Sequence, residues 1–109
     1  MSEIPQVQNS DMSDHAVILD VREKDEWEAG HAPGAVHIPL AELPSRLHEL
    51  PDTDDGTLAV TCRGGGRSSR AVAWLSQQGF DVANLEGGMK GWHAAGKGLV
   101  AGDGEPRVI

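Results

Sequence analysis

Short apolar runs alternate along this chain with stretches whose apolar residues recur at helical spacing. Ala16-Val17-Ile18-Leu19-Asp20, Ala35-Val36-His37-Ile38, Leu58-Ala59-Val60-Thr61 and Val82-Ala83-Asn84-Leu85 are largely aliphatic and bounded by turn residues, a pattern that predicts buried strands. Ile4-Pro5-Gln6-Val7 predicts one more strand, at an edge, because its proline cannot donate to a ladder. Between these lie helical patterns. Glu23 to Ala29 predicts a short helix stopped by Gly30, followed by a turn over His31-Ala32-Pro33-Gly34. Ala41 to Leu50 predicts a helix with Leu43, Leu47 and Leu50 on one face, and 51–56 a polar loop. Ser68 to Gln78 carries Ala71, Val72, Trp74 and Leu75 at helical spacing, with Gly79 as its stop and Trp74 expected in the core. After a turn at Glu86-Gly87-Gly88, Met89 to Ala95 predicts a last short helix. Strands alternating with helices in this order predict an α/β fold with a mostly parallel sheet.

The 109 residues fit one domain, with 1–15 as a short N-terminal edge segment. The glycine-rich tail at 97–109 is expected to be loose or to lie along the surface. One cysteine excludes an intramolecular disulfide and suits a reducing compartment. The N-terminal stretch has no basic-then-apolar leader, and no apolar run approaches the roughly 20 residues of a membrane helix. A cytoplasmic protein with no membrane contact is therefore expected. A net charge of −8 argues against nucleic acid as a partner. The charge is uneven, however. Gly56 to Phe80 contains Arg63, Arg67 and Arg70 and no carboxylate. Arg70 fits a solvated helix face as well as any other role. Arg63 and Arg67, which flank glycines, are read as anion ligands.

The only cysteine, Cys62, follows the third aliphatic run directly and precedes Arg63-Gly64-Gly65-Gly66-Arg67-Ser68. Ligands of parallel sheets sit beyond the carboxyl ends of the strands, where this order places Cys62. A strand, a glycine loop and a helix in succession make a small ring of backbone N–H groups suited to an anion, with the helix dipole pointing into it. A cysteine so placed should have a depressed pKa and act as a thiolate nucleophile. A Cys–His hydrolase would need one of His15, His31, His37, His48 or His93 as base, and the sequence brings none of them to Cys62. No metal site is expected, since the ligand spacing is missing, and neither P-loop nor dinucleotide glycine signature is present. Cysteine phosphatases place their arginine one residue further from the cysteine than Arg67 stands. The tighter ring suits a smaller group on the thiolate, such as one extra sulfur.

Three blocks carry a family resemblance. The first is Leu19-Asp20-Val21-Arg22-Glu23, running through Glu26-Trp27 and Gly30-His31-Ala32-Pro33-Gly34-Ala35 to Ile38-Pro39-Leu40. The second is Cys62 to Ser68, and the third Leu85-Glu86-Gly87-Gly88-Met89 with Gly91-Trp92. In this order, over about Ala16 to Gly96, the chain resembles single-domain members of the rhodanese family. The resemblance implies a three-layer sandwich, a mainly parallel sheet of about five strands with helices on both faces. It implies a cofactor-free sulfurtransferase. Cys62 would take the outer sulfur of thiosulfate or a persulfide donor as a persulfide and pass it to a thiol or to cyanide. The amides of Arg63 to Ser68 would hold that sulfur, and Arg67, with Arg63, would orient the donor. The alternative it leaves open is a non-enzymatic sulfur carrier or binding module serving a specific relay protein. Asp20, Arg22 and His31 match positions read as structural ties between loops. Trp27 and Trp92 are expected to pack, and Glu86 to serve the turn. The link before Ala16 is too short for the family's usual first helix, so a turn is expected there.

Overall fold

The short aliphatic runs do form strands. In a computed structural model, which describes residues 4–52 and 56–109, five of them make one parallel sheet. They are β1 (Gln6–Val7), β2 (Ile18–Asp20), β3 (Ala35–His37), β4 (Leu58–Thr61) and β5 (Val82–Leu85), in the order β1-β5-β4-β2-β3. Parallel strands require crossovers; α1 (Lys24–Ala29) joins β2 to β3 and α2 (Gly66–Gln77) joins β4 to β5, while α3 (Gly88–Ala94) follows the last strand. The fold class expected from the sequence is the one observed.

Register assigns each strand residue to a face. Leu19 pairs with Val36 and Val60, and Val60 pairs with Asn84; Ile18 pairs with Ala35 and Ala59, and Ala59 with Ala83. Side chains alternate across a strand, so the two sets lie on opposite faces. Leu19, Val60, Leu58 and Val82 pack under Ala71, Val72 and Leu75 of α2 and under Leu43. Ile18, Ala59 and Leu85 pack under Met89 and Trp92 of α3. Burial on both faces is what near-continuous aliphatic strands are for. Trp92 is fully buried and its indole N–H donates to the Gly98 carbonyl at 2.8 Å. Trp74 is partly buried against the α2 core.

Several boundaries differ from the sequence reading, each for a local reason. The helix expected over Ala41–Leu50 is two 3₁₀ segments, Leu40–Ser45 and Leu47–Glu49. Pro44 lacks an N–H and its ring would strike the carbonyl four residues back, so an α ladder cannot run through it. Tighter bonds replace it, from Glu42 N to Pro39 O at 2.8 Å and from Arg46 N to Leu43 O at 3.1 Å. Leu43 remains buried, with Leu47 and Leu50 against the same core. The edge strand keeps only Gln6 and Val7, while the Pro5 carbonyl accepts from Asn84 N at 2.8 Å. The link before Ala16, where a turn was expected, holds a 3₁₀ turn at Asn9–Asp11. The start of α2 is Gly66, two residues before Ser68. The loop expected at 51–56 lies partly outside the described residues.

The tail is tied along the surface. Val100 and His31 exchange backbone bonds of 2.8 and 2.9 Å, Arg107 N donates to Ala29 O at 2.9 Å, and Leu99 and Val108 pack on the α3-side core. Gly98 N donates to the Asp14 carboxylate at 2.8 Å.

Asp20 and Arg22, both fully buried, form the main polar tie at the end of β2. Arg22 Nε and Nη2 donate to Asp20 at 2.9 and 2.7 Å, and Nη2 also donates to the Gly30 carbonyl at 2.8 Å, joining the strand end to the end of α1. A charge left alone there would be strongly unfavourable. Asp20→Asn is expected to cost about 3–5 kcal/mol in urea unfolding; a loss below about 1 kcal/mol would contradict this role.

Candidate functional site

Cys62 stands one residue beyond β4, at the carboxyl edge of the sheet, and is itself 1% exposed. The loop then turns through Gly65, whose φ of +115° is left-handed and suited to glycine, and α2 begins at once. The Cys62 Sγ accepts from Gly65 N at 3.0 Å and from the Ser68 hydroxyl at 3.3 Å. Burial raises the thiol pKa. The Ser68 hydroxyl and the amides of Ser68, Gly65 and Gly64 outweigh that and bring it below the usual thiol value. Ser68 is the third residue of α2, so its amide is one of those the helix leaves free.

The loop amides are turned inward by α3. Met89 N donates to the Cys62 carbonyl at 2.8 Å, and Lys90 N to the Arg63 carbonyl at 3.0 Å. In a planar trans peptide the C=O and N–H point opposite ways. With the Arg63 carbonyl drawn toward α3, the Gly64 N–H on the same peptide must face away from it, toward Sγ. The approach is close: a Cβ on Gly88 would lie 2.6 Å from both the Cys62 and Arg63 carbonyl oxygens, and Gly88 also has φ +58°.

Ser68 has one hydroxyl proton and three acceptors: Cys62 Sγ, the Gly65 carbonyl at 3.2 Å and Asn84 Oδ1. Asn84 is buried on β5, and its Nδ2 donates to Gln6 Oε1 at 2.9 Å. The sequence reading placed Asn84 in a strand and saw no role for it. Its signal was a polar residue inside an otherwise aliphatic run.

The arginines have partners within the protein that the sequence did not announce. Arg67 donates through Nη1 and Nη2 to the two carboxylate oxygens of Glu26, at 2.7 and 2.8 Å. This bond pulls the Glu26 pKa down to about 2 against the opposing effect of burial, with further help from Glu23 N. Arg67, in turn, is held more firmly protonated by the same carboxylate. The loop's cation is therefore already matched by an anion, which no local pattern in the sequence announces. Arg63 is exposed and its Nε donates to the Ile109 carbonyl at 3.0 Å. Arg70 is exposed on α2.

Asp20 and Arg22 make their polar contacts with each other and with Gly30. His31 Nδ1 donates to the Trp27 carbonyl at 2.7 Å and its ring stacks on Trp27, as does that of His37. His37 Nε2 donates to the Arg22 carbonyl at 2.7 Å. Glu86, beside the turn, accepts from Gln8. Among the described residues no histidine hydrogen-bonds Cys62, and no cluster of three His, Cys, Asp or Glu could hold a metal. No helix among them is long and apolar enough to cross a membrane.

Comparison with known proteins agrees with this geometry. A family model described as the rhodanese-like domain matches residues 5–95. A sulfurtransferase of Allochromatium vinosum is 36% identical over 93 residues, covering 84% of this chain and 85% of that protein. YrkF of Bacillus subtilis, provisionally named a sulfur carrier protein, is 40% identical over 98 residues; the match covers 84% of this chain but only 52% of YrkF. The crystal structure of a rhodanese-related protein from Thermoplasma volcanium superposes with a TM-score of 0.77 at 32% identity, over 88% of this chain and 97% of that one. Relatives named as a sulfurtransferase and, provisionally, a sulfur carrier support sulfur transfer at the level of the family, and the chain belongs to the rhodanese-like domain family.

Proposed function

We propose that this protein is a sulfurtransferase that works through a persulfide on Cys62. The observation that carries the reading is the sulfur's surroundings: a thiol whose pKa is lowered by the Ser68 hydroxyl and three amides, on a loop whose tip residues are exposed. The Cys62 thiolate attacks the outer sulfur of thiosulfate. The new S–S bond forms as the S–S bond of the donor breaks, and the electron pair leaves with sulfite. With a persulfide donor the leaving group is the donor's thiolate. The loop amides then hold the added sulfur, whose partial negative charge they match without a counter-ion. Attack by cyanide or an acceptor thiolate on the outer sulfur returns the Cys62 thiolate. Arg67 at the mouth of the loop meets the donor. A lone cysteine that must start reduced suits the cytoplasm.

The provisional name of YrkF favours a second reading, a carrier that takes sulfur only from a partner protein. Intact-mass measurement separates the two. A gain of one sulfur atom after thiosulfate alone, absent in Cys62→Ser, supports the enzyme; a gain only with a persulfidated protein donor supports the carrier. Equal thiocyanate production by wild type and Cys62→Ser would overturn the persulfide mechanism.

Ser68 supplies the side-chain bond to the sulfur, so Ser68→Ala is expected to move the pH midpoint of Cys62 alkylation upward. Transfer at neutral pH should fall by about tenfold, the scale of one hydrogen bond to an ion. An unchanged midpoint would count against the hydroxyl.

A further inference from the structure

Two kinds of group surround Cys62. The amides of Gly64, Gly65 and Ser68 are neutral and hold a sulfur whatever the charge on the rest of the donor. Arg67 is the charged group, and it does not stand alone. Its guanidinium is forked onto Glu26, and the charges acting on it from Glu26, Glu23 and the Cys62 sulfur are all anionic. Glu26 is poorly exposed, at 14%, and Arg67 is 33% exposed. Glu26 is also fixed before any donor arrives. It lies in the first turn of α1, and its Oε1 accepts from Glu23 N at 3.0 Å in a capping box. With its pKa near 2 it stays ionised throughout the neutral range.

From this juxtaposition we infer that Glu26 determines donor specificity by charge. Its carboxylate compensates Arg67 beside Cys62, so the site disfavours dianionic donors such as thiosulfate relative to sulfur donors carrying one charge or none. This inference rests on the sulfurtransferase reading above and adds a residue to it. Glu26 does not touch the reacting sulfur. It acts through the guanidinium that it holds, and through the negative charge it places near the entry. The excess of acid over base in the whole chain repels anions generally. Glu26 differs in being local, so its effect can be separated from that background.

Two donors with the same sulfane sulfur on an oxidised sulfur separate the charge effect from chemistry: thiosulfate, a dianion, and methanethiosulfonate, a monoanion. In each case Cys62 takes the outer sulfur, and sulfite or methanesulfinate leaves with the electron pair of the broken S–S bond. The readout is the ratio of kcat/KM for thiosulfate to that for methanethiosulfonate at low ionic strength. Glu26→Gln keeps an oxygen for the Glu23 amide and Arg67 Nη1, and removes the charge together with the acceptor for Arg67 Nη2. The ratio should rise about fivefold, the scale of one unit charge several ångströms away in a largely hydrated site. Arg67→Gln, which leaves Glu26 uncompensated, should lower it by a similar factor, and the double variant should return it near the wild-type value. In 1 M KCl the differences should collapse. An unchanged or lowered ratio in Glu26→Gln, with the Cys62 persulfide still forming, overturns the role of Glu26 alone. If Glu26→Gln does not fold, a ratio that fails to fall in Arg67→Gln overturns it instead. Absence of a Cys62 persulfide from either donor in the wild type overturns both this inference and the reading beneath it.

Discussion

Two backbone hydrogen bonds, from the first turn of α3 to the carbonyls of Cys62 and Arg63, set the direction of the first two amides of the loop, those of Arg63 and Gly64. Rotate the Arg63–Gly64 peptide and the Gly64 N–H leaves the sulfur while the Arg63 carbonyl dipole takes its place, reversing the sign of the local potential. The bonds need the close approach that Gly88 permits. They also need α3 to stay where it is, and that is decided on the far side of the sheet, where Met89 and Trp92 are buried against Ile18, Ala59 and Leu85. An apolar contact on one face of the sheet thus governs the acidity of a thiol at its edge.

The protein handles charge in two ways. Asp20 and Arg22 are fully buried and bind only each other and nearby backbone, so their charges hold the strand end to α1. Glu26 and Arg67 join the first turns of α1 and α2 at the border of solvent. Helix α1 takes part in both, because Gly30 closes it and Glu26 opens it. Neutral amides face the sulfur, and the Arg67 cation is matched by Glu26.

The parts legible in the sequence were those governed by neighbours along the chain. Aliphatic runs of four, the helical spacing of Ala71, Val72 and Leu75, and glycines after a cysteine are local signals, and each led to the element observed. Of the amides from Arg63 to Ser68, those of Gly64, Gly65 and Ser68 act on the Cys62 sulfur. Contacts between segments distant in sequence were not legible. Nothing around Arg67 announces Glu26, which lies on another helix, and nothing around Asn84 announces Ser68 or Gln6. The 3₁₀ course of Leu40–Ser45 was readable from Pro44 and was outweighed by a persuasive leucine spacing. The tail's composition left open whether it was loose or lay along the surface, because its ties, such as those of Val100 to His31, Arg107 to Ala29 and Gly98 to Asp14, join segments distant in the sequence.

The position of β1 bears on the order in which the protein can be completed as it is synthesised. Among the described strands β1 comes first along the chain, yet it pairs with β5, which comes last, with Gln6 opposite Asn84. β2 and β3 can meet early, and β4 can join them, while β1 waits on the ribosome for nearly the whole sheet to emerge. Its arrival closes the sheet and gives the Asn84 amide its Gln6 partner, on the same side chain whose oxygen receives Ser68. The hydrogen bond from Asn84 to Gln6, behind the Cys62 sulfur, can therefore form only after β5 has been made.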